Sequence, residues 1–264
     1  MAPIVHVPES VPDAVAALQQ GAAVLGGGTA LMPRLNTSAH DVEALVSLRR
    51  TGLDRIEVAE GVATIGAATT LARLGRDGRL AFLHDALETI ASPTIRNMAT
   101  VAGNLFVPQP YGDLAVCLLA LDAIAHVAGA ERPVADILRD GVGPGEVVSA
   151  VSFELPAAGE WFYTKAMRRR LNSASIVTVA AVVTTGAGGA VETARIALGG
   201  AGARPVRAPS AEAALAGGPL DRARVEAAAA AALDDAEPFG DAYASAWYRR
   251  RVLPVHVRRA LLGE

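Results

Sequence analysis

Apolar and polar positions along the chain fall into two styles. Up to about residue 155, short apolar runs alternate with stretches of helical spacing; beyond residue 159, three strand-like runs come first and helices follow. Ser10 followed by Asp13 has the form of a capping box for a helix over residues 11–20, with Pro12 in the tolerant first turn and Gly21 as the stop. Residues 22–25 form a short apolar run broken by three glycines, and residues 45–48, 55–58 and 62–67 read as strands, the last two joined by a Glu60-Gly61 turn. Thr69 or Thr70 caps a helix to about Gly75, and Leu80, Leu83, Leu87 and Ile90 line one face of a helix over 80–90 that Pro93 ends. A second apolar helix is expected over 114–125, then a strand over 146–155.

After a boundary near residues 156–159, strands are expected at 161–169, 175–185 and 191–198, with the Gly186 to Gly189 tract turning the last two into a hairpin. Helices follow at 210–215, 222–233 (rich in alanine, the best helix former) and 244–262. Strands followed by helices describe a separate α+β domain. The expected domains are therefore residues 1–157 and 158–264.

Composition narrows the function classes. A chain of 264 residues, 52% hydrophobic and 19% charged, can bury a sizeable core and is not globally disordered. Its net charge of −3 argues against nucleic acid as a partner. The single cysteine, Cys117, excludes a cysteine-bound iron–sulfur cluster within the chain and, lying in an apolar run, reads as a buried hydrophobe. His6, His40, His84, His126 and His256 are scattered without metal-ligand spacing, so no metal site is expected. The start of the chain does not have the form of a secretory signal. The uncharged stretch 171–191 approaches the length of a membrane span. Its hydroxyls, amide and glycines leave only 176–183 truly apolar, which reads as a buried strand and a glycine-rich turn. A soluble, cytoplasmic protein with no membrane span is the expectation.

Two segments carry candidate chemistry. Val24-Leu25-Gly26-Gly27-Gly28-Thr29-Ala30-Leu31 places a glycine turn directly after a strand. Glycines let the backbone approach a ligand, and consecutive N–H groups suit a pyrophosphate; a plain strand-ending turn is the competing reading. The second segment, residues 92–104, strings hydroxyls, amides and small residues together without helix or strand periodicity. Thr100 and Asn104 offer side-chain hydrogen bonds there, and Val101, Ala102 and Gly103 leave room for a flat ring or a diphosphate. Asp113 follows, able to accept from ribityl hydroxyls, to cap the next helix, or both. Gly199-Gly200-Ala201-Gly202 imitates a dinucleotide fingerprint, but Pro205 and Pro209 interrupt it, so a loop leaving a strand is the better reading. Arg168 to Arg170 is a short basic run, a solvated face or one turned to an acidic partner.

Taken together, these motifs resemble the flavin subunits of the molybdenum hydroxylases, the xanthine dehydrogenase and carbon monoxide dehydrogenase group. Gly26-Gly-Gly-Thr29 is similar to their first FAD loop, and Arg96-Asn-Met-Ala-Thr-Val-Ala-Gly-Asn104, running on to Asp113 and Leu118-Leu-Ala-Leu-Asp122, to their second. Ala194-Arg-Ile-Ala-Leu-Gly-Gly200, Arg204-Pro-Val-Arg207, Tyr248-Arg-Arg250 and Arg258-Arg-Ala-Leu261 resemble their C-terminal domain, so the likeness spans nearly the whole chain. It implies a two-subdomain α/β FAD-binding domain of the vanillyl-alcohol-oxidase (PCMH) type, followed by a small domain of antiparallel sheet plus helices. It implies FAD contacts at Val24, Leu25, Gly26, Gly27, Gly28, Thr29, Ala30, Leu31, Thr100, Val101, Ala102, Gly103, Asn104, Asp113 and Lys165. Tyr163, two residues before Lys165 on the same expected strand, shares its face and is a candidate cover for the isoalloxazine.

Two positions depart from the pattern: Ala102 stands where a glycine is common, and would be strained if φ there is positive, and Ala30 stands where a polar residue is frequent. The implied function is electron transfer, from iron–sulfur clusters on a small two-iron two-sulfur subunit, through FAD, to a terminal acceptor. Substrate would be hydroxylated on a large molybdenum-cofactor subunit. No catalytic nucleophile or base is implied. The rival readings are a standalone flavin oxidoreductase and a structural subunit that has lost FAD.

Overall fold

The structure, a computed structural model, describes residues 3–37, 42–169 and 172–264; His40 and Arg170, singled out above, lie outside the described residues. Strand β1 (Ile4–His6) leads into helix α1 (Val11–Gln19), where the Ser10 hydroxyl accepts from the Asp13 N–H at 3.2 Å, as the capping pattern requires. β2 (Ala23–Leu25) runs into the glycine turn, and an unanticipated helix α2 (Leu31–Thr37) follows. β3 (Ala44–Ser47) pairs in parallel with both earlier strands, giving the order β1-β3-β2. β4 (Ile56–Ala59) and β5 (Val62–Gly66) form a hairpin whose turn residues, Glu60 and Gly61, both have positive φ. Thr70 caps the short helix α3 (Leu71–Leu74).

The next segment departs from expectation. Residues 80–90 are not one helix: a 3-10 stretch, Gly78–Leu83, is kinked at Leu80 (φ −114°, ψ 28°) before α4 (His84–Thr89) begins. Nor does Pro93 merely end a helix. It opens α5 (Pro93–Arg96), where its missing N–H is not needed, behind a Ser92 cap. The supposedly aperiodic second segment also contains α6 (Val101–Leu105), capped by Thr100. Helices this short give no periodicity to read.

α7 (Asp113–Ala120) is shorter than expected, because Asp122 turns the chain at φ 54° into β6 (Ile124–Val127). The apolar run simply continues across that turn, and hydropathy alone does not mark it. β7 (Ala130–Pro133), α8 (Val134–Asp140) and β8 (Val148–Glu154) complete a five-stranded sheet of order β4-β5-β8-β6-β7. The remainder follows the expected order. β9 (Trp161–Met167), β10 (Ser175–Thr185), β11 (Val191–Gly199) and β12 (Val206–Arg207) form an antiparallel sheet of order β12-β11-β10-β9. α9 (Pro209–Leu215), α10 (Arg222–Ala231) and α11 (Ala246–Leu262) come after it.

The chain divides into two compact units that interleave along the sequence. The first comprises Met1–Ala81, Ser92–Val107 and Ile124–Phe153; the second comprises Phe82–Ala91, Pro108–Ala123 and Glu154–Glu264. Within the first, Ala14 and Leu18 of α1 pack with Val46, Leu48 and Val147. The second has the larger core. Val177, Val179, Ala181 and Val183 of β10 pack with Leu215, Val225, Leu253 and Val257 of the three C-terminal helices. α7, all eight of whose residues are buried, packs on β10 and β11 as well. β10 is buried from Ser175 to Val183 because helices cover it. Cys117 is buried in α7, and burial pushes its thiol far above the ordinary range. Among the described residues no helix is long and apolar enough to cross a membrane.

Candidate functional site

In the first unit the two candidate loops meet. The chain leaves β2 at Leu25 and turns through Gly26, Gly27 and Gly28 (φ +73°) into α2. A side chain on Gly27 would run into the carbonyl of Met98 and lie 2.9 Å from the Ala99 nitrogen, and one on Gly26 would lie 2.9 Å from the Thr100 hydroxyl. Glycine is therefore required by close backbone approach, and the approach is to the other candidate loop. Thr100 holds that loop: its hydroxyl accepts the Gly103 N–H at 3.2 Å, and its own carbonyl accepts from Asn104 at 3.0 Å. The loop is tied down further by Leu71 N–H to Ala99, Val101 N–H to Thr69 and Ala102 N–H to Ala67. Among the described residues, no acceptor within the chain meets the N–H groups of Gly27, Gly28, Thr29 and Ala30. Successive uncommitted donors beside a side-chain-free surface fit a diphosphate. Ala102 has helical backbone and is absent from the positive-φ positions, so the suspected strain does not arise.

In the second unit, Asp113, Tyr163 and Lys165 come together. Asp113 is the first residue of α7 rather than its cap; Gly112, at φ 82°, holds the cap position. This frees the carboxylate for tertiary bonds. Lys165 Nζ donates to Asp113 Oδ2 at 2.8 Å and to the Thr89 carbonyl at 2.8 Å, with the lysine and aspartate side chains 2% and 7% exposed. Thr178 Oγ1 donates to Asp113 Oδ1 at 2.6 Å, and Ser175 Oγ donates to the same oxygen. Three of the roughly four acceptor positions of the carboxylate are thus filled from inside the unit. The Tyr163 phenol lies 3.0 Å from the Thr89 hydroxyl, and burial first, then the Asp113 charge, push it well above the ordinary tyrosine range.

Thr89, Ser175 and Thr178 were not among the candidates. The available signal was a pair of hydroxyls in the apolar run of β10. Positions three apart on a regular strand face opposite sides, and the register irregularity between Ser175 and Val177 lets both hydroxyls reach Asp113. The glycines that follow β11 behave as a loop leaving a strand: the Gly200 N–H donates to Gln109 Oε1 at 2.7 Å.

Residues 2–152 match the family model described as the FAD binding domain in molybdopterin dehydrogenase. The chain belongs to that family. Residues 161–263 match the carbon monoxide dehydrogenase flavoprotein C-terminal domain, so this FAD-binding chain carries both parts of the molybdenum-hydroxylase medium subunit. It is 32% identical to the carbon monoxide dehydrogenase medium chain of Afipia carboxidovorans, over 97% of this chain and 94% of that one. It is also 32% identical to subunit alpha of the 6-hydroxypseudooxynicotine dehydrogenase complex of Paenarthrobacter nicotinovorans, over 97% and 92%. The structure of reconstituted carbon monoxide dehydrogenase from Oligotropha carboxidovorans matches with a TM-score of 0.92 at 29% identity, over 99% of this chain and 97% of that one. The α+β architecture, with an FAD-binding part and a C-terminal sheet-plus-helices part, agrees with these matches.

Proposed function

We propose that this FAD-binding chain relays electrons within a three-component molybdenum hydroxylase. It would receive them from the iron–sulfur clusters of a small subunit and pass them to a terminal acceptor, while a large molybdenum-cofactor subunit oxidises the substrate. The observation that carries the reading is the interlocking of the two glycine-bearing loops, with the N–H groups of Gly27 to Ala30 uncommitted. FAD, when bound, supplies the exchange between single-electron and paired-electron transfer.

The residues bind and orient. Val24 to Leu31 and Thr100 to Asn104 hold the diphosphate and ribityl chain, with donors from the first loop and Thr29. The family resemblance makes Asp113, Tyr163 and Lys165 candidate FAD contacts as well. Lys165 gives two of its three donors to Asp113 and Thr89, which fixes the ammonium and leaves one uncommitted among the described residues. A cytoplasmic location is part of this reading.

The test is a titration of the purified, cofactor-stripped chain with FAD, followed by flavin fluorescence and visible absorbance. Saturation at one FAD per chain is expected, weakened more than about tenfold by Gly103→Asp, whose side chain would start 2.7 Å from the Thr100 hydroxyl. A folded chain that takes up no FAD overturns the reading. For the relay itself, a reconstituted complex given substrate should bleach its flavin absorbance; bleaching that never occurs while molybdenum is reduced would remove the electron-transfer role.

A further inference from the structure

Arg249, on α11, is 0% exposed. Its Nη2 donates to Asp241 Oδ2 at 2.7 Å, and its guanidinium lies 4.7 Å from the centre of the Phe239 ring. Nη1 donates to two successive carbonyls of β10, Ser175 at 3.2 Å and Ile176. Nε has no partner among the described residues. A buried guanidinium loses its hydration, and one left with an unsatisfied N–H is a weak source of stability. Its place in the second unit therefore asks for a reason beyond stability.

The two carbonyls belong to the bulge of β10. Ser175 pairs with Met167 of β9 and Val177 with Ala166, so Ile176 is the extra residue between them. Thr178 then stands directly opposite Lys165. Residues directly opposite on an antiparallel pair share a face, and both side chains end on Asp113, Thr178 on Oδ1 and Lys165 on Oδ2. The bulge also brings Ser175 Oγ within 2.9 Å of Thr178 Oγ1 and onto the same carboxylate oxygen. Without the extra residue, a register shift of one would turn Thr178 to the other face. The glycines after β11 leave room for this arrangement. A side chain on Gly200 (φ +70°) would run into the Ile176 carbonyl and start 2.6 Å from Arg249 Nη1, and one on Gly199 would start 3.2 Å from Thr178 Cβ.

We infer that Arg249 is a positioning residue: it holds the β10 bulge at Ser175 and Ile176 and thereby sets the geometry of the buried Asp113–Lys165 pair. Among the described residues no hydrogen bond links Arg249 to either member of the pair, so its action passes through the bulge and the two hydroxyls. That the pair touches FAD rests on the flavin reading above; the coupling of Arg249 to the pair does not.

Because the chain has a single lysine, the full protein made with isotope-labelled lysine gives side-chain NMR signals from Lys165 alone. In the FAD-stripped parent, a pinned side chain should show two separate proton shifts on its Cε. Arg249→Met is expected to merge them, and Arg249→Lys, which keeps a donor for the carbonyls, to keep them apart. Arg222→Met removes an arginine paired with Glu264 and should leave them unchanged. Spectra recorded well below each melting temperature do not respond to lost stability alone. Where Arg249→Met does not fold, Gly200→Ala breaks the same contact from the β11 side. The second readout is FAD titration of the purified chain. Arg249→Met should weaken binding about tenfold, and by less than about twofold when Asp113 is already asparagine. Lys165 shifts that stay separate in folded Arg249→Met overturn the inference, as does a loss of FAD affinity that is equally large in both backgrounds. A parent chain that takes up no FAD counts against the flavin reading instead, since the lysine signals are recorded without FAD.

Discussion

Lys165 is the only lysine in a chain that has 23 arginines, and its side chain is 2% exposed. A compact ammonium with three donors suits a closed cavity between a carboxylate and a backbone carbonyl, where a planar guanidinium fork would not fit. Removing one member of a buried pair leaves the other uncompensated, so Lys165→Met is expected to lower stability by about 3–5 kcal/mol. The double change Lys165→Met with Asp113→Leu should lose less than the two single changes summed. Urea unfolding of the purified chain, run as a double-mutant cycle, checks this; strict additivity would mean the pair is not coupled. At this scale the sequence showed Asp113 and Lys165 through their motif positions. It did not show Thr89, Ser175 or Thr178, because hydroxyls 62 to 74 residues away from their partners leave no local pattern.

Among the elements, α6 shows what a departure from the family pattern does. Ala102 stands inside a capped helix with ordinary helical φ, although the resemblance suggested a glycine-requiring turn. Restoring the glycine should therefore weaken the protein: Ala102→Gly is expected to cost about 0.5–1 kcal/mol in thermal or urea unfolding. A gain in stability would indicate strain at that position. Long strands were readable: β10 has the expected bounds, and β9 and β11 differ from theirs by two residues and one. β6, β7 and α8 were not, since β6 continues the apolar run of α7 with only the Asp122 turn between them. The short helices α5 and α6 are defined by their Ser92 and Thr100 caps more than by any repeat of apolar positions.

For the molecule as a whole, the boundary expected at residue 157 follows the order of the chain, whereas the compact units do not. The second unit takes in Phe82–Ala91 and Pro108–Ala123, including α7. Sequence reading treats a domain as a continuous stretch unless a repeat or linker says otherwise, and here neither is present. A fragment of residues 158–264 would lack α7 and expose the β10 and β11 surface that α7 covers. Such a fragment is expected to bind a hydrophobic dye and melt without a cooperative transition, in contrast to the full chain. A sigmoidal melt of the fragment would show that the C-terminal part is self-sufficient.

The same interleaving sets a timetable for synthesis. α7 leaves the ribosome about 80 residues before the end of β11, which at typical elongation rates is roughly 4–16 s. Until β10 and β11 emerge, eight residues that will all be buried have only α4 among the elements that later pack on them. A newly made chain is thus most exposed to misassociation in its middle, and slowing translation after residue 120 should raise its demand for chaperones more than slowing it near either end.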